Sequence, residues 1–164
     1  MPTFYRIEKR RHLAEAFSGI GGLLSAGRWH RRGIRVAYAA EHPAVAVLEK
    51  LVWLGSLEDA AAGDYVVVPV DITGATIETL ALDDLPGGWD AFPHPPETQE
   101  LGTRWLREGR SAALRVPSAV VPQTTNVLIN PAHPDAAGFA AGAAEAFDWD
   151  PRLFAPRPGA PDEG

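Results

Sequence analysis

The chain contains no cysteine, no long apolar run and no excess of positive charge. Without cysteine it has no disulfide framework, no thiolate zinc site and no cysteine nucleophile, so a reducing cytoplasmic compartment is expected. No stretch approaches the roughly 20 apolar residues of a membrane span, and the first residues lack a signal-peptide core. The net charge of −6 argues against direct nucleic-acid binding, because that affinity comes mostly from neutralised phosphates.

The pattern of short strands and two helices predicts one α+β domain with a small mixed or antiparallel sheet. The 164 residues suit a single domain over 1–153, followed by a disordered tail over 154–164 that has too little to bury. The predicted strands cover 3–7, 34–39, 65–72, 112–116 and 126–130, and the predicted helices cover 43–54 and 97–108. Residues 18–33 are predicted to form a glycine-rich loop, and Pro69 inside its strand requires an edge position or a bulge.

Several common kinds of site are disfavoured by spacing. The five histidines are scattered without a His-x-x-x-His pair, so no metal site is expected. Ser118 lies in Val-Pro-Ser-Ala, which is not the Gly-x-Ser-x-Gly of a hydrolase elbow. The glycine run at 19–22 has Leu24 in the place of a third glycine, so it does not match a dinucleotide-binding loop.

Glu49 is the most informative single residue, because its predicted helix is otherwise almost wholly apolar. Only Glu49 and Lys50 are polar between residues 43 and 54. On the helical period, Glu49 shares a face with Val45, Val52 and Trp53. A carboxylate on such a face is costly to bury unless a cation or a hydroxyl meets it. The candidates to meet it are Arg6, Arg28 and Tyr38.

These residue types together fit the cleavage of an N-glycosidic bond in a dinucleotide such as NAD. Arginine forks bind phosphate oxygens bidentately, and the rings of Trp29 or Tyr38 can stack on a planar heterocycle. A carboxylate such as Glu49 can hold ribose hydroxyls and stabilise positive charge at a sugar carbon. A buried structural ion pair fits the same composition equally well, so the residue types alone leave both interpretations open.

A set of separated motifs, in order along the chain, resembles the RES-domain family. The motifs of the first half are Gly27-Arg28-Trp29-His30 with Gly33, then Val-Ala-Tyr-Ala-Ala-Glu-His-Pro at 36–43, then Leu48-Glu49. Those of the second half are Leu101-Gly102, Trp105-Leu106, Arg-Val-Pro-Ser at 115–118, Pro122, Asn-Val-Leu-Ile-Asn-Pro at 126–131 and His133-Pro134. The resemblance runs from about residue 4 to residue 153. An Ala/Gly-rich stretch at 138–144 replaces a more β-branched strand of the family, so an irregular C-terminal edge is expected.

The resemblance implies an ADP-ribosyltransferase-like fold, NAD as substrate without a metal, and a role for each motif residue. Members are toxins of bacterial type II toxin–antitoxin pairs that degrade NAD by phosphorolysis or hydrolysis, or transfer its ADP-ribose to a protein. The name-giving arginine, glutamate and serine correspond here to Arg28, Glu49 and Ser118. Glu49 is then the catalytic carboxylate, Ser118 completes the pocket, Arg6 and Arg28 contact phosphate and ribose, and Tyr38 lies beside the nicotinamide.

Two alternatives to NAD degradation, and one partner, follow from the same resemblance. A protein ADP-ribosyltransferase would use the same pocket, and a non-catalytic interaction module would keep only the fold. The expected partner is an Xre-like DNA-binding antitoxin in a hetero-oligomer, with inorganic phosphate as one candidate acceptor. The predicted mouth of the pocket is rich in arginine, which suits an acidic segment of that antitoxin; the arginines are Arg28, Arg31, Arg32 and Arg35.

Overall fold

Eight strands form one mixed sheet within residues 2–154, the part of the chain that the computed structural model describes. The strands are β1 (Thr3–Lys9), β2 (Ala37–Ala40), β3 (Tyr65–Asp71), β4 (Ile77–Thr79), β5 (Ala113–Pro117), β6 (Thr125–Ile129), β7 (Ala140–Ala141) and β8 (Glu145–Phe147). Their order is β4-β5-β6-β2-β1-β3-β7, with β8 also pairing with β3, and β4–β5 is the parallel pair among the described strands. The α+β prediction is therefore confirmed. The tail predicted to be disordered lies, from residue 155 onward, outside the described residues.

Two helices are longer than the others, as predicted. The helices are α1 (Ile20–Leu24), α2 (Pro43–Leu51), α3 (Leu57–Ala61) and α4 (Pro96–Glu108), and short 3-10 turns cover Arg10–Glu15, Leu82–Asp84, Pro134–Gly138 and Pro151–Leu153. α4 ends at Gly109, whose φ of +60° is the left-handed conformation typical of a glycine cap. α2 ends three residues before the predicted Leu54, because the chain tightens there into i→i−3 hydrogen bonds. No helix in the described region combines the length and apolarity of a membrane span.

The prediction of a loop over 18–33 is wrong for part of that segment, since α1 lies within it. The glycine at its centre is there for packing rather than for flexibility. A Cβ on Gly22 would lie 2.1 Å from the carbonyl oxygen of Ile34, so only glycine allows this close approach.

Pro69 lies in a strand with neighbours on both sides, but one of those neighbours is interrupted beside it. β8 pairs with residues 65–67 of β3 and β7 pairs with Val70 and Asp71, so Pro69 falls between the two short ladders. Its carbonyl still accepts a hydrogen bond from the N–H of Gly142 at 2.9 Å. The missing N–H of proline is thus accommodated by a break in the partner strand, and the C-terminal edge is irregular, as expected.

The two main helices each pack an apolar cluster against the sheet. α2 contributes Val45 and Ala46 to a cluster with Ile7 and Tyr65. α4 contributes Trp105 and Leu106 to a cluster around β5 and β6. The sheet register pairs Tyr38 with Leu128 and Ala40 with Asn126, so these four side chains share one face. Asn126 therefore lies on the same face as Ala40, which packs in the cluster of Val45 and Ala46 of α2.

Candidate active site

Glu49 projects from α2 towards the ends of β5 and β6, where two polar side chains bind it. Its Oε1 accepts a hydrogen bond from the Ser118 hydroxyl at 2.5 Å and another from the Asn126 Nδ2 at 2.6 Å. No donor within residues 2–154 reaches its Oε2. The carboxylate is therefore fixed through one oxygen while the other remains available. Glu49 and Ser118, predicted from the sequence, are in direct contact.

Ser118 is held in place by the turn that follows β5. Its side chain is 1 % exposed, and its Oγ accepts hydrogen bonds from the backbone N–H groups of Val120 and Val121, each at 3.1 Å. Because those two donors occupy its lone pairs, the hydroxyl proton is directed to Glu49. Ser118 thus positions the carboxylate.

Asn126 is a site residue that the sequence reasoning missed. Its signal is an amide beside the apolar run Val-Leu-Ile. The sequence analysis used this segment as a strand and as a family motif, but it assigned no role to the amide. While Nδ2 binds Glu49, the Oδ1 is buried and has no hydrogen-bond partner in the described part of the chain. An unpaired buried acceptor costs about 1–3 kcal/mol, so this oxygen would gain from a donor supplied by a ligand.

Arg28 lies in the short turn closed by the Gly27–His30 bridge. Its Nη1 donates to the carbonyl oxygens of Trp89 and Ala91, both at 2.8 Å, while Nη2 and Nε have no partner among residues 2–154. Burial lowers the pKa of Arg28, and the negative charge of Glu49 opposes that shift. The guanidinium therefore lies within electrostatic reach of the carboxylate and keeps donors free.

Helix α4 fixes the turn that carries Arg28. A Cβ on Gly102 would lie 1.8 Å from the carbonyl oxygen of Trp29, so the helix and the turn touch backbone to backbone. One residue further along, the Thr103 hydroxyl accepts a hydrogen bond from the N–H of Arg31 at 3.0 Å. The glycine at 102 thus has a steric reason, because any side chain would push the turn away from α4.

Tyr38 and His30 form a buried pair behind the turn. The Tyr38 hydroxyl lies 2.6 Å from His30 Nδ1, and His30 Nε2 lies 2.9 Å from the carbonyl oxygen of Ser25. A carbonyl only accepts, so Nε2 carries the imidazole proton and Nδ1 accepts from Tyr38. Burial raises the pKa of Tyr38 and lowers that of His30, so both stay neutral near pH 7.

Arg6 is brought near Tyr38 but not into contact with Glu49. β1 and β2 share one register pair, Tyr5 with Ala40, and beyond it the Arg6 Nη1 donates to the Tyr38 carbonyl at 3.0 Å. The same guanidinium pairs with Glu8 at 2.9 Å. Arg6 is therefore largely satisfied within the protein.

Trp29 is placed differently from its predicted role as a substrate-stacking residue. Its side chain is 3 % exposed and packs in the cluster around α4, with its ring 6.2 Å from that of Trp89. A ring this buried has no free face for a ligand, so Trp29 supports Arg28 from the core. The sequence indicated only its position beside Arg28.

The RES domain profile matches residues 3–150, and the chain therefore belongs to the RES-domain family. It is 39 % identical to the "Prs ADP-ribosylating toxin" of a Sphingobium species, over 93 % of this chain and 96 % of that protein. It is 40 % identical to the "Toxin Res" of Pseudomonas putida, over 84 % of this chain and 92 % of that protein.

A solved structure has the same fold. The chain superposes on a chain of the M. tuberculosis MbcT–MbcA toxin–antitoxin complex with a TM-score of 0.74, over 92 % of this chain and 85 % of that one. At 15 % identity the likeness concerns the fold alone. It agrees with the predicted α+β architecture.

Proposed function

We propose that the protein is the toxin of a bacterial toxin–antitoxin pair and cleaves the nicotinamide–ribose bond of NAD. The observation that carries this proposal is Glu49, a carboxylate with one oxygen fixed by Ser118 and Asn126 and the other available, within electrostatic reach of Arg28. The printed names of the relatives, which are toxins, support the same conclusion.

In this proposal, Glu49 stabilises positive charge that develops at the ribosyl carbon. The carbon–nitrogen bond breaks, and nicotinamide leaves as a neutral base with the bonding electron pair. The oxygen of phosphate or water then forms the new bond from the opposite side and loses its proton to solvent. The free Oε2 and the unpaired Oδ1 of Asn126 are acceptors suited to ribose hydroxyls. A preorganised carboxylate of this kind contributes about 3 kcal/mol to transition-state stabilisation.

We propose that Arg28 is the main residue that binds the pyrophosphate of NAD. Its Nη2 and Nε are free of partners within residues 2–154, and two parallel N–H groups match the geometry of phosphate oxygens. Arg6 contributes a second positive charge, although Glu8 neutralises part of it. Tyr38 forms the buried wall of the site through its bond to His30.

A second function, protein ADP-ribosylation, is favoured by the name of the 39 % identical relative, "Prs ADP-ribosylating toxin". The first step is the same, and only the acceptor differs, being a protein side chain instead of phosphate or water. The acceptor is chosen by access rather than by the shared carboxylate.

One experiment separates these outcomes. The purified chain is incubated with NAD, with and without inorganic phosphate, and the product is identified by mass, with Glu49→Gln as the inactive control. An ADP-ribose phosphate formed only with phosphate supports a phosphorylase, and free ADP-ribose supports a glycohydrolase. ADP-ribose found on protein added from a cell lysate supports the second function. If NAD is not lost under any condition, cleavage is refuted, and the remaining interpretation is a non-catalytic interaction module.

We further propose that an Xre-like DNA-binding antitoxin covers the mouth of this site in a hetero-oligomer. The arginines expected at the mouth differ in availability, because Arg31 pairs with Glu100 at 2.8 Å whereas Arg32 is exposed. Arg32→Glu should weaken binding of an antitoxin with an acidic segment, measured by isothermal titration. Unchanged affinity would argue against the charged contact.

A further inference from the structure

Three rings, two of them exposed, form a cluster that has no part in the chemistry proposed above. Trp53, Phe92 and His94 lie with ring centroids 6.0 Å (Trp53–Phe92), 5.8 Å (Trp53–His94) and 5.8 Å (Phe92–His94) apart. Trp53 is 62 % and Phe92 75 % exposed, although both are large apolar side chains. We call these three residues the ring cluster. Exposed aromatic groups that contact one another are typical of binding sites.

The ring cluster connects the two segments that carry the candidate site. Trp53 lies four residues after Glu49, on the turn that continues α2, so the two positions are about one helical turn apart. Phe92 directly follows Ala91, whose carbonyl oxygen accepts the Arg28 Nη1 hydrogen bond at 2.8 Å. The ring cluster therefore joins the chain segment that follows Glu49 to the segment that holds the Arg28 guanidinium.

His94 is the partly buried member of the ring cluster. Burial lowers the pKa of His94, which favours the neutral imidazole. Its Nδ1 is buried and has no hydrogen-bond partner in the described region. A neutral imidazole packs against the indole without adding a positive charge, which keeps the indole face suited to a cation.

The ring geometry leaves a face of the indole open. Phe92 meets Trp53 nearly edge-on, with an interplanar angle of 70°, and His94 meets it at 57°. Neither partner stacks on Trp53 in parallel. A flat ligand can therefore lie on the indole face without displacing either neighbour.

We propose that Trp53 stacks on the nicotinamide ring of NAD, with Phe92 and His94 holding the indole in place. This inference rests on the proposed function and deepens it. The nicotinamide is a planar cation bonded to the ribosyl carbon that Glu49 stabilises, so its ring must lie close to Glu49. Tryptophan offers the best aromatic face for a cation, and stacking of a base on an aromatic ring is sequence-tolerant and strong. The indole then releases the ring readily, because the leaving nicotinamide is neutral.

The test compares three variants with the wild-type chain. Trp53→Ala removes the indole, Trp53→Phe keeps an aromatic face, and Val52→Ala is the control because the neighbouring Val52 is 57 % exposed but has no ring. We expect Trp53→Ala to raise the KM for NAD about 10-fold or more, Trp53→Phe to restore most of it, and Val52→Ala to leave it unchanged. Binding is then measured by titration calorimetry in the Glu49→Gln background, which removes turnover.

Three ligands distinguish whether Trp53 stacks on the nicotinamide or on the adenine. Trp53→Ala should weaken the binding of NAD and of nicotinamide mononucleotide about 10-fold. It should leave the binding of ADP-ribose unchanged, because ADP-ribose lacks the nicotinamide. If the binding of ADP-ribose weakened equally, the assignment would be overturned in favour of stacking on the adenine.

Unchanged binding of all three ligands, with wild-type turnover of NAD, would overturn the stacking, while the proposed function would stand. If antitoxin affinity alone fell, the ring cluster would be a protein-docking surface and the proposal would be wrong. A wild-type chain that neither binds nor consumes NAD would refute the proposed function, and the stacking with it.

Discussion

Replacing Glu49 with glutamine is the sharpest test of the site, because it removes one charge and almost no volume. In the wild-type chain, Oε1 accepts two hydrogen bonds, at 2.5 Å from Ser118 and at 2.6 Å from Asn126. The glutamine oxygen can accept both bonds, so the arrangement persists in a neutral form. What is lost is the negative charge that faces the ribosyl carbon.

The expected effect on turnover is much larger than the effect on stability. Loss of one preorganised electrostatic contact costs about 2.7–4 kcal/mol, which lowers turnover of NAD by about 10²–10³-fold. A hydrogen bond to a charged group contributes about 1.5–3 kcal/mol against about 0.5–1.5 kcal/mol for a neutral pair. The two bonds therefore lose about 2 kcal/mol together, and the lower cost of burying an amide offsets part of that loss. At roughly 2–4 °C per kcal/mol, the Tm falls by less than about 8 °C.

The measurement is the initial rate of NAD loss at saturating NAD, with Tm followed by circular dichroism. Glu145→Gln is the matched control, since Glu145 is exposed on β8 and should alter neither quantity. A Glu49→Gln chain that consumes NAD at the wild-type rate would refute the catalytic role. A chain that loses both activity and cooperative unfolding would show instead that Glu49 is structural.

Three further predictions concern the parts that hold the site. Ser118→Ala leaves two backbone N–H groups without an acceptor and removes one of the two hydrogen bonds to the Glu49 carboxylate, so urea denaturation should show a loss of about 1–3 kcal/mol in the free energy of unfolding; an unchanged midpoint would contradict this. Gly102→Ala forces a methyl to within 1.8 Å of a carbonyl and should destabilise the chain by about 3 kcal/mol or more, whereas Gly21→Ala, with open space around it, should not; equal Tm values would refute the steric argument. Because burial lowers the pKa of His30 below its ordinary 6.5, the unfolded chain takes up that proton first as the pH falls. Stability is then full above about pH 6.5 and decreases below it, and His30→Gln, but not His12→Gln at an exposed site, should flatten that decrease in denaturation curves between about pH 7 and about pH 5.

The local sequence pattern was sufficient to predict most strands and both main helices. Runs of β-branched residues mark β3 and β6, and glycine at 109 ends α4 where a left-handed cap is required. The predictions from local pattern fail where tertiary packing or strand pairing overrides the local preference. Gly22 lies in a segment predicted as a loop, yet it belongs to α1, and the close approach of the Ile34 carbonyl oxygen explains why this helical position is glycine. Pro69 predicted an edge strand or a bulge, and the structure instead interrupts its partner.

The sequence by itself determined that Glu49 is exceptional, because an isolated carboxylate on an apolar helix is recognisable from periodicity alone. Through the motifs of the RES family it also predicted that Arg28 and Ser118 belong to the same site, and Ser118 does bind Glu49. Tertiary structure alone decided the rest: Asn126 completes the carboxylate site, Trp29 is a core residue, and Trp53 faces out. The physical reason is distance along the chain. The contacts of Glu49 span 69 and 77 residues, so they depend on the order of strands in the sheet, which no local pattern encodes.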